Sequence, residues 1–130
     1  YDGVPELIAA LRERGVKTAV VSNKVDFAVR QLAEDYFPGL FDIAVGEREG
    51  VRRKPAPDSV NEVMRTLDIP RGRTVYIGDS DVDADTAANA GVDFVGVEWG
   101  FRPREVLVEH GAKVTVKSAE ELLEKITGKG

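Results

Sequence analysis

The chain has 130 residues, a length that fits one domain with a sizeable core. Its formal net charge of −5 argues against a nucleic-acid-binding protein, and its lack of cysteine excludes disulfides, thiolate catalysis and cysteine-based zinc sites. A single histidine, His110, rules out a histidine-rich metal site. No apolar run reaches the roughly 18 residues that cross a membrane, and no signal peptide is recognisable. By default we therefore expect a cytoplasmic protein with no membrane partner.

Hydrophobic periodicity alternates along the chain between the patterns of helices and strands. In chain order, the predicted elements are a helix from about Pro5 to Gly15, a strand over Val16–Val21, a helix over Asp26–Tyr36, a strand over Phe41–Val45, a helix from Asp58 or Ser59 to about Leu67, a strand over Thr74–Ile77, a helix ending at Gly91, a strand over Phe94–Val97, a helix over Pro103–His110, an edge strand over Val114–Val116 and a helix from Ala119 to about Thr127. Five strands that alternate with helices indicate an α/β fold with an open, mostly parallel sheet and right-handed crossovers.

Polar or aromatic clusters follow three of the predicted strands. Ser22 follows the first strand, Asp79 the third and Trp99 the fourth. Ligands of open parallel sheets bind beyond the carboxyl ends of the strands, so these clusters should meet at one edge of the sheet. For Trp99 and the nearby Phe101, local packing is the commoner explanation.

The turn after the third strand carries four aspartates within seven residues: Asp79, Asp81, Asp83 and Asp85. Carboxylates this close repel one another unless helix dipoles, hydrogen bonds or a cation compensate, and a hard cation such as Mg²⁺ suits them. Helix capping is the structural alternative, and it is the favoured role of Ser80. Asp79 is the first residue past the strand, which favours a functional role. Asp81 and Asp85 are better explained as helix-start and surface residues.

Ser22, Lys54, Asp79 and Asp83 together provide a hydroxyl, an amine and two carboxylates. Ser22 and nearby backbone N–H groups can donate to anionic oxygens, while Lys54 adds positive charge. Asp79 can hold Mg²⁺ against the same anion. Such a set fits phosphoryl transfer, in which catalysis rests mainly on positioning and charge stabilisation. Taken singly, a turn serine and a loop lysine are usually structural or solvated, so the interpretation depends on the order of all these residues.

That order resembles the haloacid dehalogenase superfamily of phosphohydrolases. Ser22–Lys24, Lys54–Pro57 and Ile77–Asp83 look like the second, third and fourth motifs of that family, each after an apolar strand. The stretch Gly46–Pro55 is similar to phosphoglycolate-phosphatase-like members with a helical cap. The resemblance implies a three-layered, Rossmann-like core, of which residues 1–130 would be a partial core domain without the cap. It also implies Mg²⁺-dependent hydrolysis of a small phosphorylated metabolite.

The resemblance assigns a role to each matching residue. Ser22 would hydrogen-bond the transferring phosphoryl group, and Lys54 would neutralise the phosphate and steady the nucleophile. Asn23 would either orient the substrate or cap the next helix. Asp79 would ligate Mg²⁺ directly, and Asp83 would ligate it or orient a metal-bound water.

One motif of the family is missing from this chain. The family's nucleophile lies in an Asp-x-Asp after an apolar strand: its first aspartate forms an aspartyl-phosphate, and its second acts as general acid and base. Asp81, Asp83 and Asp85 have the spacing but follow no strand of their own, and Asp42 begins a strand instead of ending one. We therefore expect the motif and the cap to precede Tyr1 in the complete protein, and the isolated chain to be inactive.

The missing motif also predicts a gap in the sheet. The family's nucleophile strand is central, so its absence leaves an empty slot between the strands of Ser22 and Asp79. Unpaired backbone groups there would be costly and would favour association. Three resolutions are open: another chain or fragment fills the slot, the two halves pair directly, or the segment belongs to the complete protein. We favour the last.

A non-enzymatic alternative is a phosphoacceptor or phosphate-binding module of the response-regulator kind. In such a module Asp79 would be the acceptor. It would need acidic residues after the first strand, where this chain has Ser22. The enzyme interpretation is therefore favoured.

Overall fold

The computed structural model describes residues 3–47, 49–52, 54–98, 104–110, 112 and 114–127, and within them helices alternate with parallel strands. The elements are α1 (Val4–Glu13), β1 (Ala19–Val25), α2 (Asp26–Tyr36), β2 (Ile43–Glu47), α3 (Asp58–Leu67), a 3₁₀ turn (Arg71–Arg73), β3 (Val75–Gly78), α4 (Asp81–Ala90), β4 (Asp93–Val97), α5 (Arg104–Glu109), β5 (Val114–Val116) and α6 (Ala119–Thr127). The predicted α/β class is confirmed. In the part of the chain so described, no helix has the length and apolar character needed to cross a membrane.

The strand β1 differs most from its predicted range. It begins three residues later than predicted and continues through Ser22, Asn23 and Lys24. This continuation is possible because β1 bulges there, so that these three residues lie opposite the single residue Gly46 of β2. The flanking pairs are Val21 with Val45 and Val25 with Glu47. Bulges bend a strand and redirect its side chains, and they are common beside active sites.

Capping predictions hold for two helices and fail for one. Ser80 Oγ accepts the backbone N–H three residues later at 3.2 Å, and Ser118 Oγ does the same at 3.1 Å, so both serines cap their helices. The prediction that Asp58 or Ser59 caps α3 is wrong, because α3 begins at Asp58 itself. The Asp58 carboxylate instead pairs with Arg52 at 2.8 Å.

The described strands form two parallel sheets, β2-β1 and β3-β4-β5. β1 pairs only with β2 among these strands, and β3 only with β4. The two strands that would border the predicted slot therefore share no backbone pairing. The alternative in which the two halves pair directly is wrong for the described part of the chain.

Helices cover both faces of the three-stranded sheet. Val95 and Val97 of β4 face one apolar cluster, whereas Phe94 faces the other, because neighbouring strand residues point to opposite faces. The first cluster contains side chains of α1, β5 and α6: Leu7, Leu11, Val116 and Leu122. The second contains side chains of α3, of α4 and of the loop between α4 and β4, packed with Tyr76: Val60, Met64, Ala87, Ala90 and Val92. The predicted three-layered arrangement is confirmed.

A histidine–carboxylate pair connects the residue after α5 to α4. Nδ1 of His110 lies 3.0 Å from Oδ1 of Asp85, and both side chains are exposed. The hydrogen bond to Asp85 raises the pKa of His110 above its ordinary value, with smaller contributions from the charges of Asp85, Asp81 and Glu109. Asp85 thus has the surface role that the sequence favours.

Asp85→Asn is expected to lower the pKa of His110 toward its ordinary value, which NMR titration of the imidazole protons would measure. A raised folded-state pKa means that the pair stabilises the fold fully below about pH 6.5 and loses this effect as the pH rises through the raised pKa. The wild type should therefore exceed Asp85→Asn in melting temperature by more at pH 5 than at pH 9. Asp35→Asn, on α2, is the control that should leave His110 unchanged. A difference that grows toward high pH would contradict the assignment.

Candidate active site

The Lys54 side chain reaches β3 and the first turn of α4. Its Nζ donates to Oδ1 of Asp83 at 2.7 Å and to the Tyr76 hydroxyl at 3.2 Å. Only 13% of the Lys54 side chain and 11% of the Asp83 side chain are exposed. Tyr76 in turn donates its O–H to the same Asp83 oxygen at 3.1 Å. Two residues that the sequence places far apart therefore meet as a buried, hydrogen-bonded ion pair.

Both oxygens of Asp83 are engaged. Oδ2 accepts the backbone N–H of Asp79 at 3.2 Å, while Oδ1 accepts from Lys54 and Tyr76. Burial raises the pKa of Asp83, but the charge and hydrogen bond of Lys54, together with hydrogen bonds from Asp79 and Ser80, outweigh it, and the net pKa lies below the ordinary value. Burial and the Asp83 charge raise the pKa of Tyr76 well above its ordinary value. Tyr76 therefore stays a neutral donor beside a charged carboxylate.

Gly78 makes room for this pair at the end of β3. A Cβ at this position would lie 2.6 Å from both Cγ and Oδ2 of Asp83, closer than real Cβ atoms come to other atoms. Only a residue without a side chain lets Asp83 approach the strand this closely. Gly78 thus positions Asp83, and through it Lys54.

Asn23 holds the backbone of Lys54. Its Oδ1 accepts the Lys54 N–H at 2.9 Å, and its Nδ2 donates to the Lys54 carbonyl at 3.4 Å. The alternative in which Asn23 caps the next helix is wrong, because the N-cap residue of α2 is Val25, with no side-chain cap. In this structure both polar atoms of the Asn23 side-chain amide form hydrogen bonds with the backbone of Lys54.

Ser22 lies half-buried in the bulge of β1, beside Asn23. Its Oγ accepts the backbone N–H of Lys24 at 3.1 Å. This bond uses the oxygen as an acceptor, so the hydroxyl proton can still be donated to an anion. The bulge therefore places a hydroxyl donor next to the residue that holds Lys54.

Asp79 directly follows β3, as predicted, and is half-buried. Its carboxylate is a donor type that Mg²⁺ accepts, and Mg²⁺ commonly takes one or two carboxylates and fills its other positions with water and phosphate. Among the described residues, no group of three or more His, Cys, Asp or Glu side chains is arranged to hold a metal ion. In this arrangement Oδ1 of Asp83 accepts from Lys54 and Tyr76, and Oδ2 accepts the backbone N–H of Asp79. The residues thus fit a site in which Asp79 is the direct ligand and Asp83 supports it from outside.

Sequence reasoning missed two residues of this network, Tyr76 and Asn89. Asn89, near the end of α4, donates from Nδ2 to the Pro55 carbonyl at 2.8 Å. No local pattern connects it to a residue 34 positions away. Tyr76 is on the same strand face as Gly78, but as a partly buried aromatic residue it resembles a core residue. Trp99 and Phe101 lie outside the described residues.

A parallel α/β core with a hydroxyl, a paired lysine and a carboxylate near the carboxyl ends of its strands is typical of proteins that act on phosphoryl groups. A family model described as haloacid dehalogenase-like hydrolase matches residues 1–97, and the chain belongs to that family.

Similar proteins include phosphatases and a pyrophosphatase. A phosphoglycolate phosphatase of Rhodobacter capsulatus is 39% identical over 116 residues, which are 87% of this chain and 52% of the relative. A protein of Caldanaerobacter subterraneus, provisionally named as the pyrophosphatase PpaX, is 35% identical over 98% of this chain and 58% of its own length. A crystal structure from Lactobacillus delbrueckii, provisionally assigned as a phosphoglycolate phosphatase, superimposes with a TM-score of 0.95 at 51% identity, over 97% of this chain and 53% of its own. The chain thus spans about half the length of these relatives.

These relatives give no support to the response-regulator alternative. Their names describe phosphatases or a pyrophosphatase. The position after β1 also remains occupied by Ser22, where a response regulator would need acidic residues. The enzyme interpretation therefore stands for the family.

Proposed function

We propose that this chain is part of the core of a Mg²⁺-dependent phosphatase that hydrolyses a small phosphomonoester such as 2-phosphoglycolate. The observation that carries the proposal is the buried ion pair of Lys54 and Asp83, 2.7 Å apart, beside the turn that holds Asp79. Such a pair fixes a positive charge where a phosphate would meet a metal-binding carboxylate. The names of the relatives favour phosphoglycolate, and the pyrophosphatase name makes pyrophosphate the second substrate to test.

Each residue of this site has one task in the proposal. Ser22 donates its hydroxyl proton to a phosphate oxygen, and Lys54 neutralises the charge that develops during transfer. Asn23 acts on the phosphate through the Lys54 backbone that it holds. Asp79 holds Mg²⁺, with Asp83 as its outer support, and the bound ion supplies Lewis-acid stabilisation of the phosphoryl oxygens.

The proposal places the nucleophile outside this chain. In the complete protein, an aspartate on a strand between β1 and β3 would form an aspartyl-phosphate. Two features favour such a strand: β1 and β3 do not pair with each other, and β3 leaves Val75 and Ile77 41% and 38% exposed. A strand in this position would satisfy both sheet edges. A cytoplasmic location, which suits a metabolite phosphatase, belongs to the same proposal.

A chimera tests the proposed function. This chain would replace the matching part of the Lactobacillus delbrueckii relative, which is 51% identical to it. With Mg²⁺, the chimera should hydrolyse 2-phosphoglycolate and p-nitrophenyl phosphate, whereas the isolated chain should show no turnover above buffer. Asp79→Asn and Lys54→Met should each lower kcat/KM by about 10²-fold or more, because each removes charge stabilisation of the transition state.

Asp85→Asn, on the same helix but paired with His110, is the matched control and should keep full activity. A folded chimera without turnover on either substrate would refute the proposal. Robust turnover by the isolated chain, abolished by Asp79→Asn, would instead place the nucleophile within these residues. Pyrophosphate hydrolysis above that of 2-phosphoglycolate would change the substrate class.

A further inference from the structure

The segment Lys54–Pro55 is held by side chains from both halves of the molecule. Asn23, on β1, takes both the N–H and the carbonyl of Lys54. Asn89, on α4, donates to the next carbonyl, that of Pro55. The sheet that contains β1 and the sheet of β3, the strand that α4 follows, share no backbone pairing among the described strands. Two asparagines thus fix consecutive backbone groups of a segment outside regular secondary structure.

This arrangement restricts where the Lys54 ammonium can lie. A lysine side chain has a flexible four-carbon stem, so its Nζ is localised only if both of its ends are fixed. The outer end is fixed by Asp83 and Tyr76 at 2.7 and 3.2 Å. The inner end, the backbone, is fixed by two asparagines. Asn23 Oδ1 accepts the Lys54 N–H at 2.9 Å, and Asn89 Nδ2 donates to the Pro55 carbonyl at 2.8 Å.

We propose that Asn23 and Asn89 are positioning residues that act through Lys54, and we call the two together the asparagine clamp. The clamp brings the Lys54 amine to Asp83. The contribution of the clamp to catalysis rests on the proposed function of Lys54. The hydrogen bonds that form the clamp lie within this chain and can be tested without any activity. Substitution of Asn89 is the sharper test of the clamp, because its bond to Pro55 is exposed to solvent. If this bond only satisfied the Pro55 carbonyl, water could replace it.

Chemical labelling of the 130-residue chain measures the clamp directly. Trace acetylation followed by peptide mass spectrometry gives the reaction rate of Lys54, with the exposed Lys17 and Lys117 as internal references. In the wild type, Lys54 should react slowly, because its side chain is 13% exposed and paired. Asn23→Ala and Asn89→Ala should each raise its rate about three- to tenfold, the effect expected from losing one or two hydrogen bonds.

Two further variants separate positioning from general stability. Asn61→Ala removes an asparagine whose side chain accepts a hydrogen bond from Arg71, and it should leave the Lys54 rate unchanged. Asn23→Asp keeps an acceptor for the Lys54 N–H and should restore most of the protection. Urea unfolding of every variant verifies that labelling reports the folded chain, and if Asn23→Ala does not fold, Asn89→Ala decides the question.

A double-mutant cycle tests whether the clamp acts through the lysine–aspartate pair. In an Asp83→Asn background the Lys54 amine has lost its charged partner, so Asn89→Ala should add little to its labelling rate. Fully additive effects would show that Asn89 stabilises the fold in general, and would overturn the proposal. Unchanged Lys54 labelling in folded Asn89→Ala would overturn it as well. Neither result depends on phosphatase activity, so an inactive chimera would refute the proposed function and leave the clamp standing.

Discussion

Asp83→Ala is expected to lower the free energy of unfolding by about 3–5 kcal/mol, the loss typical of breaking a buried ion pair from one side. The substitution leaves the Lys54 ammonium, on a side chain that is 13% exposed, with the Tyr76 hydroxyl as its remaining partner in this network. It also removes the acceptor of the Asp79 backbone N–H. Urea denaturation at pH 7, followed by tryptophan fluorescence or circular dichroism, measures the change.

Two comparisons make this result specific. Asp85→Ala, on the same helix, should cost much less, because its pair with His110 is exposed to solvent. The double variant Lys54→Met with Asp83→Leu should recover most of the stability, since replacing a whole buried pair by apolar groups is often neutral. If Asp83→Ala cost no more than Asp85→Ala, the pair would be hydrated in solution.

Gly78→Ala should destabilise the chain by about 1–3 kcal/mol, the usual cost of forcing extra volume into a packed site. The new methyl group would lie 2.6 Å from Cγ and Oδ2 of Asp83, so one of the two must move. Movement of Asp83 would loosen its contact with Lys54. Urea denaturation therefore should show a lower stability, and trace acetylation should show a faster reaction of Lys54.

Gly72→Ala is the matched control for this substitution. No atom lies within 4 Å of the position that its Cβ would take, so its effect should stay within about 0.5 kcal/mol. Equal stabilities of Gly78→Ala and Gly72→Ala would mean that Asp83 adjusts without cost, and would remove Gly78 from the site.

The sequence was a good guide to the elements because their signals are local. Periodicity predicted α2 at its observed bounds, and Ser80 and Ser118 cap the helices that they were expected to cap. The extension of β1 through Ser22–Lys24 could not be predicted in this way. The short polar run Ser22–Lys24 is typical of the end of a strand. Only the register of β1 against β2 shows that the strand continues through a bulge.

For the candidate site, the sequence predicted the residue types but not their partners. Lys54 and Asp83 were both expected at one edge of the sheet, yet nothing in either motif shows that they pair with each other. The bond from Asn89 to Pro55 spans 34 positions and that from Asn23 to Lys54 spans 31. Such contacts depend on how distant segments of the chain are arranged in the fold, and local sequence patterns carry no information about this arrangement.

The distribution of apolar side chains bears on how cooperatively the molecule unfolds. Among the described residues, neither apolar cluster includes a side chain of β1, α2 or β2. Besides the packing of α3 against β1 and β2, this half is connected to the rest by polar contacts, for which water competes directly. These are the bonds around Lys54 and the ion pair of Arg12, on α1, with Asp42 at 2.7 Å. The bonds that set the position of one amine would therefore also contribute to whether the two halves melt as one unit or in succession.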